Sequence, residues 1–224
     1  MATGKINVSA DNIFPIIKKF LYSDHEIFLR ELISNAVDAT NKLKTLSNLG
    51  EFKGELGDLT IQVHIDKKKK QLRIVDRGIG MTQDEVQKYI NDVAFSGAEE
   101  FVKQYEGKVE KGAMIGHFGL GFYSSFMVSS QVEIKTRSWK SNDVKEGAHW
   151  SCDGSPEFEL KGCTKKDRGT EIILHIDSES EDFLEEFKIK ELLKKYARFM
   201  SVPIQCGEKE ERVNVAAEGE EAKY

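Results

Sequence analysis

The sequence has few cysteines and prolines and no long apolar run. Of its 224 residues, three are cysteine and three are proline. Cys152, Cys163 and Cys206 are odd in number and form no CxxC pair, which argues against a disulfide framework. The low proline count and the 13 phenylalanines are typical of a packed globule and exclude a disordered or collagen-like chain. No stretch reaches the roughly 18 apolar residues of a membrane span. Together with the absence of a signal pattern in residues 1–20, this predicts a reduced, cytoplasmic protein without a membrane partner.

A basic excess is also missing. Lysine and arginine number 33 against 38 aspartates and glutamates, for a formal net charge of −5. A general nucleic-acid binder usually carries a strong basic excess, so we expect no nucleic-acid partner. The four lysines at residues 67–70 lie between two predicted strands and are interpreted as a solvated hairpin turn.

Apolar periodicity predicts several helices. The first long helix opens at Ser23, where Ser23 and Glu26 have capping-box spacing, and continues to about Leu46. A shorter helix is predicted at residues 12–21, and Thr82 begins another with a capping box to Glu85. Further helical patterns cover residues 98–105, 122–130 and 182–200. The last of these has its apolar positions at Leu184, Phe187, Leu192, Leu193 and Phe199.

Strand patterns occur at residues 60–66, 72–76, 131–139, around Trp150, at 157–160 and at 170–176. These strands do not alternate with helices as βαβ units would. We therefore predict an α+β fold, a two-layer sandwich in which a mostly antiparallel mixed sheet is covered on one face by helices. Residues 1–207 are predicted to form one domain, and the acidic residues 208–224 a linker or chain end.

Three polar residues share one face of the long helix. Glu31, Asn35 and Asp38 project within a sector of about 60° at 3.6 residues per turn. A solvated helix face would account for this stripe, as would a face that lines an enclosed site. The surrounding small and apolar residues favour the second reading, and periodicity alone leaves both open.

Two glycine-rich motifs lie at element boundaries. Asp76-Arg-Gly78-Ile-Gly80-Met81 follows a predicted strand, and its glycines would permit a flat ligand to approach the backbone. The segment GHFGLG at residues 116–121 opens a helix, where exposed N–H groups suit a phosphate. It matches neither the P-loop nor the Rossmann spacing. A simple turn and a flexible hinge account for the two motifs equally well when each is taken alone.

Taken in order, these motifs resemble the ATPase superfamily of DNA gyrase, heat-shock chaperones, histidine kinases and mismatch-repair proteins. The shared pattern is E-x-x-x-N-x-x-D, then D-x-G-x-G, a glycine-rich lid hinge and a Gly-Thr pair. Within it, the sequence is most similar to the heat-shock protein 90 family of chaperones, bacterial type. The stretches that carry this resemblance are YSDHEIFLRELISNAVDA (22–39), DRGIGMT (76–82), IGHFGLGFYS (115–124) and RGTEIILH (168–175). It covers nearly all of residues 10–206 and implies a Bergerat-type ATP-binding fold.

The resemblance implies an adenine-binding end of the site. Asp76 would accept a hydrogen bond from the exocyclic amine of adenine. Thr170, Gly80 and the region of Asp38 would hold the surrounding water network. Met81 and Phe122 would line the pocket for the base and sugar.

The resemblance also implies a phosphate end. Asn35 would complete the coordination of Mg²⁺ by phosphate oxygens, and Glu31 would orient or deprotonate the attacking water. Gly119 and Gly121 would cap the phosphates as residues 93–121 close as a lid. Phe95, in this lid, occupies a position where the family commonly has a phosphate-facing lysine, and His117 replaces a usual glutamine. Tyr89 stands where the family often has Asn, His or Asp near the ribose.

Chaperones of this family are much longer, and their middle domain supplies an arginine to the γ-phosphate. The resemblance therefore implies that this chain binds ATP and ADP but hydrolyses ATP slowly. Client proteins and homodimer formation are expected of the full-length protein, and the present chain alone is expected to be monomeric.

Three other functions are weighed against this interpretation. A histidine kinase-like domain would usually lack an acid at Glu31, and His25 lies only ten residues before Asn35. A gyrase- or mismatch-repair-like ATPase is disfavoured by the acidic charge balance and by the GFYS stretch. A non-catalytic nucleotide sensor is disfavoured by the presence of Glu31.

Overall fold

A computed structural model describes residues 25–91, 97–105, 121–207 and 213–214. The first element of the described residues is a 22-residue helix, α1 (Ile27–Asn48). The next elements in chain order are β1 (Ile61–Asp66), β2 (Gln71–Val75), α2 (Gln83–Val86) with a π-helical turn (Gln87–Asn91), and α3 (Gly97–Gln104). A 3-10 helix (Gly121–Met127) then precedes β3 (Ser129–Arg137), a 3-10 turn (Val144–Glu146), β4 (Gly147–Cys152), β5 (Glu159–Cys163) and β6 (Gly169–Ile176). The last elements are a 3-10 turn (Glu181–Leu184), α4 (Glu186–Ala197) and β7 (Ile204–Cys206). The predicted helix at residues 12–21 lies outside the described residues. None of the described helices is long and apolar enough to cross a membrane.

The seven strands of the described residues form one mixed sheet in the order β5-β4-β3-β6-β2-β1-β7. Neighbouring strands pair antiparallel, except that β7 runs parallel to β1. The predicted α+β class with a mostly antiparallel mixed sheet is therefore confirmed. Strand β7 was not predicted, because three residues are too few to show an alternating pattern.

The helices pack on one apolar face of the sheet. Two rows of side chains cross that face: Trp150, Ile134, Ile172 and Ile74 in one, and Cys152, Val132, Leu174 and Leu72 in the other. Helices α1 and α4 bury their apolar stripes in the same core. Each fully buried large side chain contributes about 1.5–3 kcal/mol. Alternate strand positions face the other way, where Glu133 accepts hydrogen bonds of 2.7 Å from His149 and His175.

Helix α1 begins later than predicted. Its N-cap is Glu26, and the Glu26 side chain makes no capping hydrogen bond. Ser23, its predicted capping partner, lies outside the described residues. The Glu26 carboxylate instead accepts hydrogen bonds from Lys188 at 2.5 Å and Lys195 at 2.9 Å, which lower its pKa to about 2. These long-range ion pairs tie the start of α1 to α4.

The predicted apolar positions of the last helix are partly wrong. Leu192 and Leu193 are buried as expected, but Phe187 is 80% and Phe199 91% exposed. The buried stripe of α4 is Ile189, Leu192, Leu193 and Ala197. Phe187 lies about 160° around the helix from Ile189, so it points away from the core.

A predicted capping box and a predicted turn are present, and one predicted strand is displaced. The capping box between Thr82 and Glu85 is present at the start of α2. Residues 67–70 form the turn between β1 and β2, and Lys67 and Lys70 make ion pairs with Glu185 and Glu181. The strand predicted at residues 157–160 is displaced to Glu159–Cys163.

A short segment beyond residue 207 packs against the domain. Asn214 is 7% exposed, accepts a hydrogen bond from the N–H of Ile204 and donates to the carbonyls of Met200 and Val202. The ordered contacts with β7 therefore extend into the region predicted as an acidic linker.

The loop after β2 docks closely on α1. The N–H of Ile79 donates to the carbonyl of Ala39 at 3.1 Å. A Cβ atom on Gly78 would lie 2.4 Å from the carbonyl carbon of Ala39 and 2.7 Å from the N of Thr40. Glycine at this position allows the loop and the helix backbone to touch.

We expect Gly78→Ala to lower the free energy of unfolding by at least about 2 kcal/mol, because the added methyl group meets rigid helix backbone. Urea unfolding measures this. Gly162→Ala is the matched control, since its nearest new neighbour is the flexible Gln83 side chain at 3.2 Å. Equal effects of the two substitutions would contradict the tight docking.

Candidate nucleotide-binding site

Three polar side chains continue the apolar rows at one end of the sheet. Asp76 directly follows β2, and the register of β3 and β6 pairs Thr136 with Thr170. The N–H of Asp76 donates to the carbonyl of Thr170 at 2.9 Å. Strand alternation places all three side chains on the helix-covered face. They are 6%, 0% and 8% exposed for Asp76, Thr136 and Thr170, so the core ends in a buried polar group.

Backbone donors hold the carboxyl group of Asp76. Its Oδ1 accepts hydrogen bonds from the N–H of Gly78 at 2.8 Å and of Thr170 at 3.4 Å. Burial raises the pKa of Asp76 to about 6, because the ionised carboxylate loses its hydration, and the two backbone bonds oppose this only in part. Among the described residues, no donor is hydrogen-bonded to Oδ2.

Two glycines let the backbone close around this carboxyl group. Gly80 has φ +59°, and a Cβ there would lie 1.9 Å from the carbonyl oxygen of Arg137. Gly169 has φ +98°, and a Cβ there would lie 2.2 Å from the carbonyl oxygen of Asp76. Both backbone conformations favour glycine. The predicted residues Gly80, Asp76 and Thr170 are therefore brought together.

Thr136 is a site residue that the sequence reasoning missed. Its Oγ1 accepts a hydrogen bond from the N–H of Met81 at 2.9 Å and donates to the carbonyl of Gly169 at 3.2 Å. The same oxygen lies 3.0 Å from Oγ1 of Thr170. The signal was available, because Thr136 follows Val132 and Ile134 at the core-facing positions of β3. Met81, a predicted pocket residue, is thereby anchored to the Asp76 group.

Glu31 lies in a second group, against the 3-10 helix Gly121–Met127. A Cβ on Gly121 would lie 2.5 Å from Oε2 of Glu31, so the Glu31 carboxylate occupies the space beside this glycine. Oε1 of Glu31 accepts hydrogen bonds from Nη2 and Nε of Arg30 at 2.7 and 3.1 Å. The predicted residues Glu31 and Gly121 are therefore in close contact.

Helix α1 connects the two groups. Its turns carry Glu31, then exposed Asn35, then Asp38, which is 5% exposed. Ala39, the next residue, contacts the loop that holds Asp76. At 1.5 Å per residue, Glu31 and Asp38 are about 10 Å apart along the helix axis. The polar stripe therefore runs from one group to the other, with Asn35 facing solvent between them.

Aromatic packing holds Phe122, a predicted pocket residue. Phe122 is 7% exposed and meets the ring of Trp150 edge-to-face at a centroid distance of 5.6 Å. Phe126 and Tyr123 contact Phe122 in similar geometry. Phe122 is thus fixed within the core directly after Gly121.

The described part of the predicted lid is α3 with Tyr105. Glu100 accepts hydrogen bonds of 2.8 Å from Lys88 and from the hydroxyl of Tyr89, and its pKa is lowered by them. Phe101 and Tyr105 pack with Leu46 in a cluster separate from the main core. Phe95, His117 and Gly119 lie outside the described residues.

This arrangement has a defined chemical preference. A carboxylate buried beside two hydroxyl groups presents hydrogen-bond acceptors, and it selects a ligand edge that carries donors. The amino group of adenine is such an edge. Among the described residues, no cluster of His, Cys, Asp and Glu is arranged to hold a metal ion.

The chain is similar in sequence to several known proteins. A family model described as histidine kinase-, DNA gyrase B- and HSP90-like ATPase matches residues 22–170. The chain is 58% identical over 208 residues to the chaperone protein HtpG of Porphyromonas gingivalis, covering 93% of this chain and 30% of the relative. It is 59% identical over 211 residues to that of Bacteroides thetaiotaomicron and 40% identical over 188 residues to that of Shewanella frigidimarina. These matches cover 94% and 83% of this chain and 30% and 29% of the relatives. The chain thus spans about 30% of the length of these relatives.

The raised pKa of Asp76 predicts a pH-dependent stability. The native state keeps this proton up to about pH 6, against 3.8 in the unfolded chain, so the Asp76 contribution to stability falls as pH rises between these values. Asp76→Asn should therefore raise the free energy of unfolding of the ligand-free protein by up to about 3 kcal/mol above pH 6, and by little near pH 4.

Urea unfolding of parent and variant at both pH values measures this difference. Asp153→Asn serves as the control, because Asp153 is exposed and its pKa is lowered rather than raised. A variant that gains no stability above pH 6 would show that burial does not raise the pKa of Asp76.

Proposed function

Because the chain belongs to the histidine kinase-, DNA gyrase B- and HSP90-like ATPase family, we propose that it is the nucleotide-binding domain of a protein-folding chaperone. In this proposal the chain binds ATP and ADP and hydrolyses ATP slowly, and nucleotide binding drives closure of a lid. The observation that carries it is the buried Asp76 carboxyl group, whose Oδ1 is saturated by two backbone N–H groups.

In the proposed adenine pocket, Oδ2 of Asp76 accepts a hydrogen bond from the exocyclic amine. A hydrogen bond to a charged acceptor contributes roughly 1.5–3 kcal/mol. Thr170 and Gly80 adjoin Asp76, and buried Asp38 would border the same end, where ordered water would complete the contacts. Met81 and Phe122 line the pocket for the base and sugar, and the fixed positions of both support this role.

At the proposed phosphate end, Glu31 orients or deprotonates the water that attacks the γ-phosphorus. Its Oε2 faces Gly121, next to the segment that would cap the phosphates with Gly119. The exposed amide oxygen of Asn35 would complete the coordination of Mg²⁺, which takes its other ligands from phosphate and water and neutralises phosphate charge. Phe95 would join this end when residues 93–121 close over the nucleotide.

Slow hydrolysis is expected because about 70% of the relatives' length lies outside this chain. In the full-length protein, a later domain would supply an arginine to the γ-phosphate, and a dimer would act on unfolded client proteins. We propose residues 1–207 as the nucleotide-binding domain and residues 208–224 as an acidic connection, of which Asn214 contacts the domain. The three free thiols, Cys152, Cys163 and Cys206, are consistent with the reducing cytoplasm that we propose.

The other activities found in the family receive less support. The three relatives named above all bear the name of a chaperone rather than that of a kinase or a DNA-acting enzyme. Glu31 next to Gly121 also provides a hydrolytic base that a phosphotransferase would not require.

Calorimetry of Mg²⁺ with ADP and ATP tests the binding site. We expect the parent to bind both nucleotides and Asp76→Asn to lose at least about tenfold in affinity. The Asn oxygen would accept the two backbone bonds, which turns its NH₂ group toward the adenine amine, donor against donor. Asp153→Asn should bind as the parent does. A parent that binds neither nucleotide would refute the proposed function.

Single-turnover hydrolysis tests the role of Glu31. Glu31→Gln should bind ATP within about threefold of the parent, while the slow hydrolysis rate falls by about 100-fold or to background, the range for a lost general base. Glu55→Gln, at an exposed loop carboxylate, is the control. Persistent turnover in Glu31→Gln would assign the base elsewhere.

A further inference from the structure

The hydroxyl group of Thr136 is surrounded by three polar groups, two of which have fixed hydrogen-bonding roles. The N–H of Met81 can only donate to it, at 2.9 Å, and the carbonyl of Gly169 can only accept from it, at 3.2 Å. A hydroxyl group has one proton and two lone pairs. In the arrangement that gives the Gly169 carbonyl this bond, the Thr136 proton points to Gly169, and one lone pair of Thr136 is taken by the N–H of Met81.

The remaining lone pair of the Thr136 oxygen determines the direction of the Thr170 hydroxyl proton. The two hydroxyl oxygens are 3.0 Å apart, and Thr136 has no second proton to donate. The arrangement that satisfies every group has Thr170 donating its proton to Thr136. Thr136 is 0% exposed, so water cannot substitute for either partner.

With its proton engaged, Thr170 presents only lone pairs to a ligand. The neighbouring carboxylate of Asp76 also only accepts. This end of the pocket therefore offers two acceptors side by side, which matches an amino group with its two hydrogens. It opposes a carbonyl oxygen at the same position, because an acceptor would face two acceptors.

We propose that Thr136 is a specificity-determining positioning residue that selects 6-aminopurine over 6-oxopurine nucleotides by fixing the Thr170 hydroxyl as an acceptor. This inference rests on the proposed nucleotide binding and deepens it. Thr136 acts through Thr170 and touches no ligand itself.

Affinities for ADP and IDP test the proposal, because IDP replaces the 6-amino group with a 6-oxo group. In Thr136→Val, a methyl group of similar size replaces the hydroxyl group, and the freed Thr170 proton can point toward the 6-oxo group. For Thr136→Val we expect the ratio of the IDP to the ADP dissociation constant to fall by roughly tenfold, which corresponds to the contribution of about one hydrogen bond. Thr136→Ser keeps the hydroxyl group and should restore the parent ratio.

The ratio of the two dissociation constants distinguishes a role of Thr136 in specificity from a purely structural role. If Thr136 only braces the backbone, Thr136→Val will weaken ADP and IDP in parallel and leave the ratio unchanged, which overturns the inference while the proposed function stands. A parent that binds no ADP overturns both. Thr45→Val is the matched control, since the Thr45 hydroxyl bonds to the Asn41 carbonyl on α1, and its ratio should equal that of the parent.

Circular dichroism establishes that each variant is folded before titration. Should Thr136→Val not fold, Thr136→Ala removes the same hydroxyl group without an added apolar contact and carries the same expectation. An unchanged ratio in a folded Thr136→Ala variant would equally overturn the inference.

Discussion

The carboxyl group of Asp76 is buried at one end of the sheet, and much of the surrounding structure stabilises it there. Asp76 ends β2 in line with Leu72 and Ile74, at a position that the apolar pattern would give to another hydrophobic side chain. Two backbone N–H groups supply part of the stabilisation that hydration would have given. The close approaches at Gly80 and Gly169 follow from bringing those donors within reach. The pKa of Asp76 is nevertheless raised, because these backbone bonds replace only part of the hydration that the carboxylate loses in the ligand-free protein.

The fold sets the distance between the proposed adenine-binding end of the site, at Asp76, and the proposed phosphate end, at Glu31. Helix α1 touches the Asp76 loop at Ala39 and the 3-10 helix near Glu31, so one rigid element spaces the two ends of the proposed site. Its buried stripe packs on the sheet, and Glu26 is held by two lysines of α4. A ligand that spans adenine recognition and phosphate chemistry would therefore meet groups whose separation is fixed by helix geometry.

Local signals in the sequence predicted a large part of this architecture. The Thr82–Glu85 capping box and the alternation of β1, β2, β3 and β6 are decided by neighbouring residues, and the structure has them. The motifs also named Asp76, Gly80 and Thr170, which meet at one end of the sheet. Features that depend on distant partners were missed. Glu26 was assigned to a local cap although its partners are 162 and 169 residues away. Phe187 and Phe199 matched a helical pattern but lie outside the buried stripe. The alternation of β3 indicates a core-facing position for Thr136, but its place beside Thr170 depends on the register between β3 and β6.

The small cluster of Leu46, Phe101 and Tyr105 affects how cooperatively α3 and the sheet unfold. Because it shares no buried member with the main core, the apolar contacts of α3 can be broken without opening the sheet. The described polar attachments of α3, from Glu100 to Lys88 and Tyr89 and from Tyr105 to Glu51, are partly buried and involve no strand of the sheet. Helix α3 is therefore built as a separate unit of local unfolding, one that can leave its place while Asp76 and its hydroxyl neighbours keep their geometry.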